Sequence, residues 1–171
     1  MQDFAQLLGL TVDACEDESV ILSGKVCEYA ARAKVITLRG CMFRADTLQS
    51  AHSWPVNTLS LNDRLPSCGL AALASFSCVE RLKLQHLDTI PIDQLRASMG
   101  VMARLREISI TSPRTNEWAC FDLCCALSDA KGLECVHLEL GKVDKMTHGR
   151  CIGALASMLL VEMFLRFDNV Y

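Results

Sequence analysis

Cysteine and histidine side chains are the groups in this chain whose types and spacing could support chemistry. Cys120, Cys124 and Cys125 are spaced as on one helix, and His137 lies on the next predicted strand, so a zinc cluster or a cysteine–histidine nucleophile is conceivable. However, the chain has no C-x-x-C motif, and two of these cysteines would face the packed side of the helix. The other histidines belong to different predicted elements. We therefore predict no catalytic, cofactor-binding or metal-binding residue, and a protein that is not an enzyme.

All ten cysteines are dispersed through apolar segments, where the thiol behaves as a small hydrophobe. Disulfide frameworks are typical of small secreted domains, and the N-terminus lacks the basic and apolar regions of a signal peptide. We therefore predict reduced, mostly buried thiols in an intracellular protein, cytoplasmic or nuclear. The cysteines are Cys15, Cys27, Cys41, Cys68, Cys78, Cys120, Cys124, Cys125, Cys135 and Cys151.

Composition limits the classes of function. Among 171 residues 51% are hydrophobic, and the formal net charge is only -3, with both signs mixed along the chain. The absence of a basic stripe disfavours a nucleic-acid partner. The longest apolar stretch, from Ile152 to Leu165, is interrupted by Gly153 and Glu162, so we predict no membrane span. No glycine-rich phosphate loop with a lysine and no G-x-S-x-G elbow occurs, which disfavours a nucleotide site and a serine hydrolase.

The strands and helices of the chain can be predicted from an apolar pattern that occurs six times. In each occurrence three apolar residues are separated by three and then two positions, as in Val79, Leu82 and Leu84. Its first members are Ala33, Val56, Val79, Leu105, Leu133 and Leu160, which lie 23, 23, 26, 28 and 27 residues apart. Periods of this length are typical of solenoids, in which each unit completes its core only against its neighbour.

Between these recurrences the sequence predicts one strand and one helix per unit. The predicted strands are 35–38, 58–61, 79–84, 107–110, 135–140 and 162–167, and the predicted helices are 46–54, 69–76, 93–102, 118–128 and 148–158. Residues 1–32 are interpreted as a helical N-terminal cap, followed by one continuous domain over 33–171. The Ser112-Pro113-Arg114 loop is a candidate phosphorylation site, although an ordinary turn is the favoured interpretation.

The pattern resembles the leucine-rich repeat superfamily, in particular ribonuclease-inhibitor-like and F-box-associated repeats. The segment Gly69-Leu70-Ala71-Ala72-Leu73-Ala74, leading into Val79-Glu80-Arg81-Leu82-Lys83-Leu84, is similar to their helix-then-strand unit. The resemblance covers about residues 33–167. It implies an α/β horseshoe with about six parallel strands on the concave face, helices on the convex face, and a protein-binding role. No F-box motif is recognised ahead of the repeats.

Alternation along the predicted strands sends one set of side chains away from the core. We expect these residues to bind a protein, because open solenoid faces are common binding surfaces. Thr37 and Ser60 also point outward. The candidate protein-binding residues are Arg39, Asn62, Lys83, Gln85, Ser109, Thr111, His137, Glu139, Phe164, Arg166, Phe167 and Tyr171.

The last predicted strand has no predicted helix after it, and an exposed strand edge favours pairing. We therefore expect Leu165, Phe167, Val170 and Tyr171 to be covered by another chain, either a second copy or a larger complex, or else by the tail itself. The function predicted from sequence is a non-catalytic adaptor or accessory subunit. The alternative is a structural subunit permanently buried in a complex, and an enzyme is a distant third.

Overall fold

Seven strands form one open, all-parallel sheet in the order of the sequence, as seen in a computed structural model that describes residues 9–13, 28–39, 51–62, 70–86, 90–158 and 160–168. The strands are β1 (Gly9–Asp13), β2 (Val35–Arg39), β3 (Thr58–Asn62), β4 (Arg81–Gln85), β5 (Glu107–Ser112), β6 (Cys135–Leu140) and β7 (Glu162–Phe167). Helical segments connect them: a 3-10 helix (Leu70–Ser75), α1 (Ile92–Val101), α2 (Glu117–Ser128) and α3 (Lys145–Leu155).

Strands β3–β7 begin with the same hydrogen-bond arrangement. Two successive backbone N–H groups donate to one carbonyl oxygen of the preceding repeat, as Glu80 and Arg81 donate to Asn57 at 2.8 and 2.9 Å. The carbonyl oxygens that accept these bonds belong to residues 34, 57, 80, 106 and 134, and residue 161 occupies the equivalent position in the last repeat. Their separations are 23, 23, 26, 28 and 27 residues, so the structural repeat has the periods of the sequence pattern.

The core lies on one face of the sheet, which we call the core face. Leucine, isoleucine and valine at alternate strand positions are buried there, with Leu82, Ile108 and Val136 fully excluded from solvent. Leu95 of α1 and Leu123 of α2 belong to the same cluster of buried residues. The helices therefore close the core face, and the other face carries the remaining strand side chains.

Short polar contacts fix where α2 and α3 begin. The Asn116 side chain accepts a hydrogen bond from the backbone N–H of Ala119 at 3.0 Å, and Asp144 accepts one from Thr147 at 2.6 Å. Such N-caps satisfy N–H groups that the first turn of a helix leaves unpaired. The Glu117 carboxylate also accepts a hydrogen bond from the Asp144 N–H, which ties the two helix starts together.

The prediction of six strands is corrected to seven. Gly9–Asp13, within the range interpreted as a helical cap, forms β1 and pairs with β2 from Gly9↔Val35 to Asp13↔Arg39. A five-residue segment is too short for its period to separate a strand from a helix, and the neighbouring strand supplies the hydrogen bonds that decide. Residues 28–30 are helical, and the predicted helix at 46–54 lies outside the described residues apart from its last four.

The six predicted strands and three of the predicted helices agree with β2–β7 and α1–α3 apart from shifts at their ends. The strand predicted at 79–84, for example, starts two residues later. The segment predicted as a helix at 69–76 is a 3-10 helix. The domain division at residue 32 stays a prediction.

Candidate functional site

The parallel register aligns the outward-pointing side chains of β2–β7 into rows, and we call the surface they form the polar face. One row lies at the middle of the strands and one near their C-terminal ends. The middle row is Thr37, Ser60, Lys83, Ser109, His137 and Phe164, and the second row is Arg39, Asn62, Gln85, Thr111, Glu139 and Arg166. The structure thus brings ten of the twelve predicted binding residues onto one surface. Phe167 points to the core-face side, and Tyr171 lies outside the described residues.

Ion pairs between neighbouring strands cross the polar face. Arg166 lies 3.8 Å from the Glu139 carboxylate, and Arg81 lies 3.6 Å from Glu107. The His137 Nε2 atom lies 3.5 Å from the carboxylate of Glu162 on β7. Because all of these groups are substantially exposed, each pair adds little to stability. Their effect is to give the surface alternating charges, which a protein partner can match.

The β3 part of the polar face is closed to solvent. Ser60 and Asn62 are each only 6% exposed, and the Ser60 hydroxyl donates a hydrogen bond to the Asn62 side chain at 3.0 Å. In the register Asn62 lies between Arg39 and Gln85, so a short side chain is flanked by two longer ones. Asn62 therefore has little solvent-accessible area that a partner could contact, whereas the polar-face residues of β4–β7 are partly or fully exposed.

Phe164 is the most apolar member of the middle row. Its side chain is 44% exposed, and its ring lies 6.1 Å from the ring of His137 on β6. An aromatic ring that is already held by a neighbour loses little conformational freedom on binding, and such residues often dominate interfaces. Phe164 and His137 therefore form the apolar part of an otherwise charged surface.

The outer side of β7 exposes further apolar groups. Val161 is 81% exposed and Met163, which points toward the core face, is 43% exposed. Phe167 also lies on the core-face side, where its ring meets that of His148 edge-on at 5.3 Å, so it is half-buried by α3 rather than part of the polar face. The predicted residues Val170 and Tyr171 lie outside the described residues.

The cysteine cluster considered in the sequence analysis is part of the core. Cys120 and Cys124 on α2 and Cys151 on α3 are fully excluded from solvent. Burial raises the pKa of the Cys120 thiol to about 12, and the hydrogen bond with the Cys151 thiol together with burial raises the pKa of Cys124. Because their thiols stay protonated, Cys120 and Cys124 are poor nucleophiles and poor metal ligands. The hydrogen bond with Cys124 lowers the pKa of Cys151, which is itself fully buried. Among the described residues, no group of three or more cysteine, histidine or carboxylate side chains is placed to hold a metal ion.

Cys135 is a cysteine of another kind, because it lies on the polar face between Glu107 and Glu162 of the adjacent strands. Partial burial and the carboxylates of Glu162, Glu107 and Glu134 raise its pKa above the ordinary value of a thiol. The negative surroundings disfavour the thiolate, so Cys135 is suited to packing more than to nucleophilic attack.

A second exposed surface lies on the helix side and was not foreseen from the sequence. Trp118 is 74% exposed and Met146 is 67% exposed, and together with Phe121 and Arg150 they line a groove of about 240 Å³. The Arg150 guanidinium lies 3.9 Å from the centroid of the Phe121 ring. Trp118 lies two residues after the N-cap Asn116, and Met146 lies two residues after the N-cap Asp144. An alignment of the two helix starts in the sequence would therefore have placed these two side chains at equivalent positions.

The candidate phosphorylation site is inaccessible in the structure. Ser112 is fully buried, and its hydroxyl and carbonyl oxygens both accept hydrogen bonds from the Thr115 hydroxyl, at 2.7 and 2.9 Å. The loop that follows β5 is therefore a hydrogen-bonded turn, as the favoured interpretation had it.

No protein-family model matches the chain, and no curated protein matches it. Of the helices in the described part of the chain, none has the length and apolar character needed to cross a bilayer. The proposals that follow are therefore based on the geometry of the chain itself.

Proposed function

We propose that the chain is a non-catalytic protein-binding module, an adaptor or accessory subunit that contacts its partner through the β4–β7 part of the polar face. The observation that carries the proposal is the accessible middle row, in which Lys83, Ser109, His137 and Phe164 lie side by side on four adjacent strands. A row that combines a cation, hydroxyl and imidazole groups and an aromatic ring has the polar and aromatic composition of protein interfaces.

The proposed architecture is a leucine-rich-repeat-like solenoid with the polar face on its concave side. Two findings support it: the described strands are all parallel in sequence order, and the hydrogen-bond arrangement that starts β3–β7 recurs with the period of the sequence pattern. A parallel sheet with helices on one side curves, because helices are wider than strands. The free, buried thiols of Cys120, Cys124 and Cys151 support an intracellular, reducing compartment.

The second candidate is a structural subunit that is permanently covered in a stable complex. The exposure of Val161 and Met163 favours it, because contiguous apolar groups at the surface mark interaction sites. A subunit of this kind would be insoluble or aggregate without its partner, whereas an adaptor would be soluble alone.

The experiment is affinity purification of the tagged chain from its native cells, with quantitative mass spectrometry, followed by titration of the purified partner. We expect Lys83→Glu and His137→Ala to weaken binding by about tenfold or more, as for central interface residues. Lys131→Glu is the matched control, because it makes the same charge change beside the groove between α1 and α2 on the helix side. A partner whose affinity is unchanged by the polar-face variants, or weakened equally by the control, would contradict the proposal.

A further inference from the structure

The outer edge of β7 carries backbone groups that no strand of the described part of the chain pairs with. On its inner side, the N–H of Asp168 donates to the carbonyl of Leu140 on β6 at 3.1 Å. Alternate residues of a strand direct their N–H and C=O groups to opposite sides, so Met163, Leu165 and Phe167 direct theirs to the outer edge. These are the groups that an added strand would bond.

The side chains of β7 form a pattern that is complementary to itself. Glu162 and Arg166 point to the polar face two residues before and two residues after Phe164, and their side chains are 62% and 68% exposed. A second copy running antiparallel about a two-fold axis at Phe164 would place each Glu162 opposite an Arg166. On the core face, it would place each Met163 opposite a Leu165.

This register also satisfies the backbone. Met163 and Leu165 both direct their N–H and C=O groups outward, so they meet as a hydrogen-bonded pair of an antiparallel ladder. Phe164 then meets the Phe164 of the second copy in a pair without hydrogen bonds, where side chains approach more closely. Aromatic pairs and opposite charges at such positions stabilise strand pairing.

Neighbouring registers lack this match. Moving the axis to Leu165 would place Glu162 opposite Asp168, and like charges directly opposite each other destabilise a sheet. Moving it to Met163 would place Arg166 opposite the apolar Leu160. Charge complementarity therefore selects the axis at Phe164.

We propose that the β7 edge binds a second copy of this chain in this antiparallel register, which joins the two sheets into one. The inference rests on the proposed function only in treating the β7 edge as a protein-binding surface. In the dimer, the Glu139–Arg166 pair of one copy lies next to Glu162 of the other, so charges alternate across the junction. The exposed Val161 and Met163 side chains gain apolar neighbours, and the interface is isologous, as expected of a two-fold dimer.

The test uses sedimentation equilibrium of two complementary charge variants at concentrations up to about 100 µM, where weak specific complexes assemble. Glu162→Arg alone gives a strand with two cations, and Arg166→Glu alone gives a strand with two anions. We expect each variant to self-associate at least about tenfold more weakly than the wild-type chain, because both cross-strand pairs become like-charged. An equimolar mixture should regain dimer, because both pairs are then of opposite charge.

Arg81→Glu is the control, because it reverses an equally exposed member of an ion pair on the same face three strands away from the edge. We expect it to leave self-association unchanged, and circular dichroism of each variant shows whether it is folded. If a charge variant fails to fold, Phe164→Cys in the otherwise unchanged chain tests the same register. The two introduced thiols would lie within disulfide distance at the axis, so mild oxidation should yield a covalent dimer above the background of the wild-type chain.

A wild-type chain that stays monomeric at these concentrations overturns the inference, and so does a mixture that remains monomeric when both variants are folded. Absence of the covalent dimer overturns it where the charge variants are unfolded. A monomeric chain whose separate partner is still lost on Lys83→Glu would leave the proposed function standing, so the two failures are distinguishable.

Discussion

β6 and β7 carry the same alternation of polar and apolar residues, yet they differ in burial. In β6 the core-face residues Val136, Leu138 and Leu140 are at most 1% exposed, whereas in β7 the equivalent Met163 is 43% exposed. Among the described strands, β6 has a neighbour on each side, and β7 has a neighbour on its inner side only. Burial in this fold is therefore supplied by the next repeat, and the residue type alone does not guarantee it.

The difference also separates two roles. Helices α1–α3 cover the core face between β4 and β7, and some polar side chains of neighbouring strands form pairs, as Arg81 does with Glu107. At β7 the apolar positions are accessible, the backbone edge is unpaired within the described residues, and Phe164 lies on the polar face beside the edge. We therefore expect mutations of the core-face residues of β6 to reduce stability, and mutations at the β7 edge to reduce association.

The largest expected effect is on the core leucines. Leu138→Ala removes a fully buried side chain, so the free energy of unfolding should fall by about 2–5 kcal/mol. Leu165→Ala, at the paired position of β7, should cost about half as much or less, because Leu165 is only half-buried. Urea unfolding of both variants measures the two values. Equal losses would mean that the two repeats are equally enclosed.

A smaller effect on the free energy of unfolding is expected at the residues that directly follow β6 and β7. Gly141 follows β6 and is buried, and a Cβ atom there would meet the backbone carbonyls of Thr115 and Pro113, the latter at 2.8 Å. Gly141→Ala should therefore reduce the free energy of unfolding by about 1–3 kcal/mol, as overpacking does. Asp168 occupies the next position after β7 and is exposed. If Asp168→Ala cost as much as Gly141→Ala in the same urea titrations, steric crowding would not be the cause.

The smallest effects concern the helix caps. Asn116→Ala should lower the free energy of unfolding by about 1 kcal/mol at neutral and acidic pH alike, because its amide does not titrate in this range. Asp144 differs, because hydrogen bonds from Thr147 lower its pKa in the folded chain. Its charge therefore contributes stability above the unfolded-state pKa of about 4, and this contribution is lost as the pH falls through the lower folded-state pKa.

Asp144→Asn isolates that contribution. Asparagine also caps helices, so we expect a small loss of stability at neutral pH and no loss relative to wild type at pH values below the folded-state pKa. Urea unfolding of wild type and Asp144→Asn across this pH range provides the comparison. A difference between the two chains that stays constant with pH would exclude the carboxylate as its source.

The sequence predicted the parts of the fold that depend on local patterns. Six strands were identified because leucine, isoleucine and valine alternate at positions that recur with the repeat, as at Leu82 and Leu84. β1 was missed because Leu10 and Val12 give only one alternation and its hydrogen bonds come from β2. Local patterns thus determine which segments become strands once they are long enough.

The candidate site was predictable as a surface but not in its accessibility. Alternation placed Lys83, His137 and Phe164 on one face, as observed. It could not show that Asn62 would be buried on the polar face, or that Trp118 and Met146 would line one groove from different helices. Those properties depend on contacts between residues that are distant in sequence.

The central claim is that a second copy of the chain pairs with the outer edge of β7, which no described strand occupies. The most direct measurement is amide hydrogen exchange of β7 at increasing protein concentration. We predict that Met163 and Leu165 exchange rapidly in dilute solution and become protected as dimer forms, while Leu138 of β6 is protected throughout. Fast exchange at every concentration, or protection that persists on dilution because the same chain covers the edge, would contradict the claim.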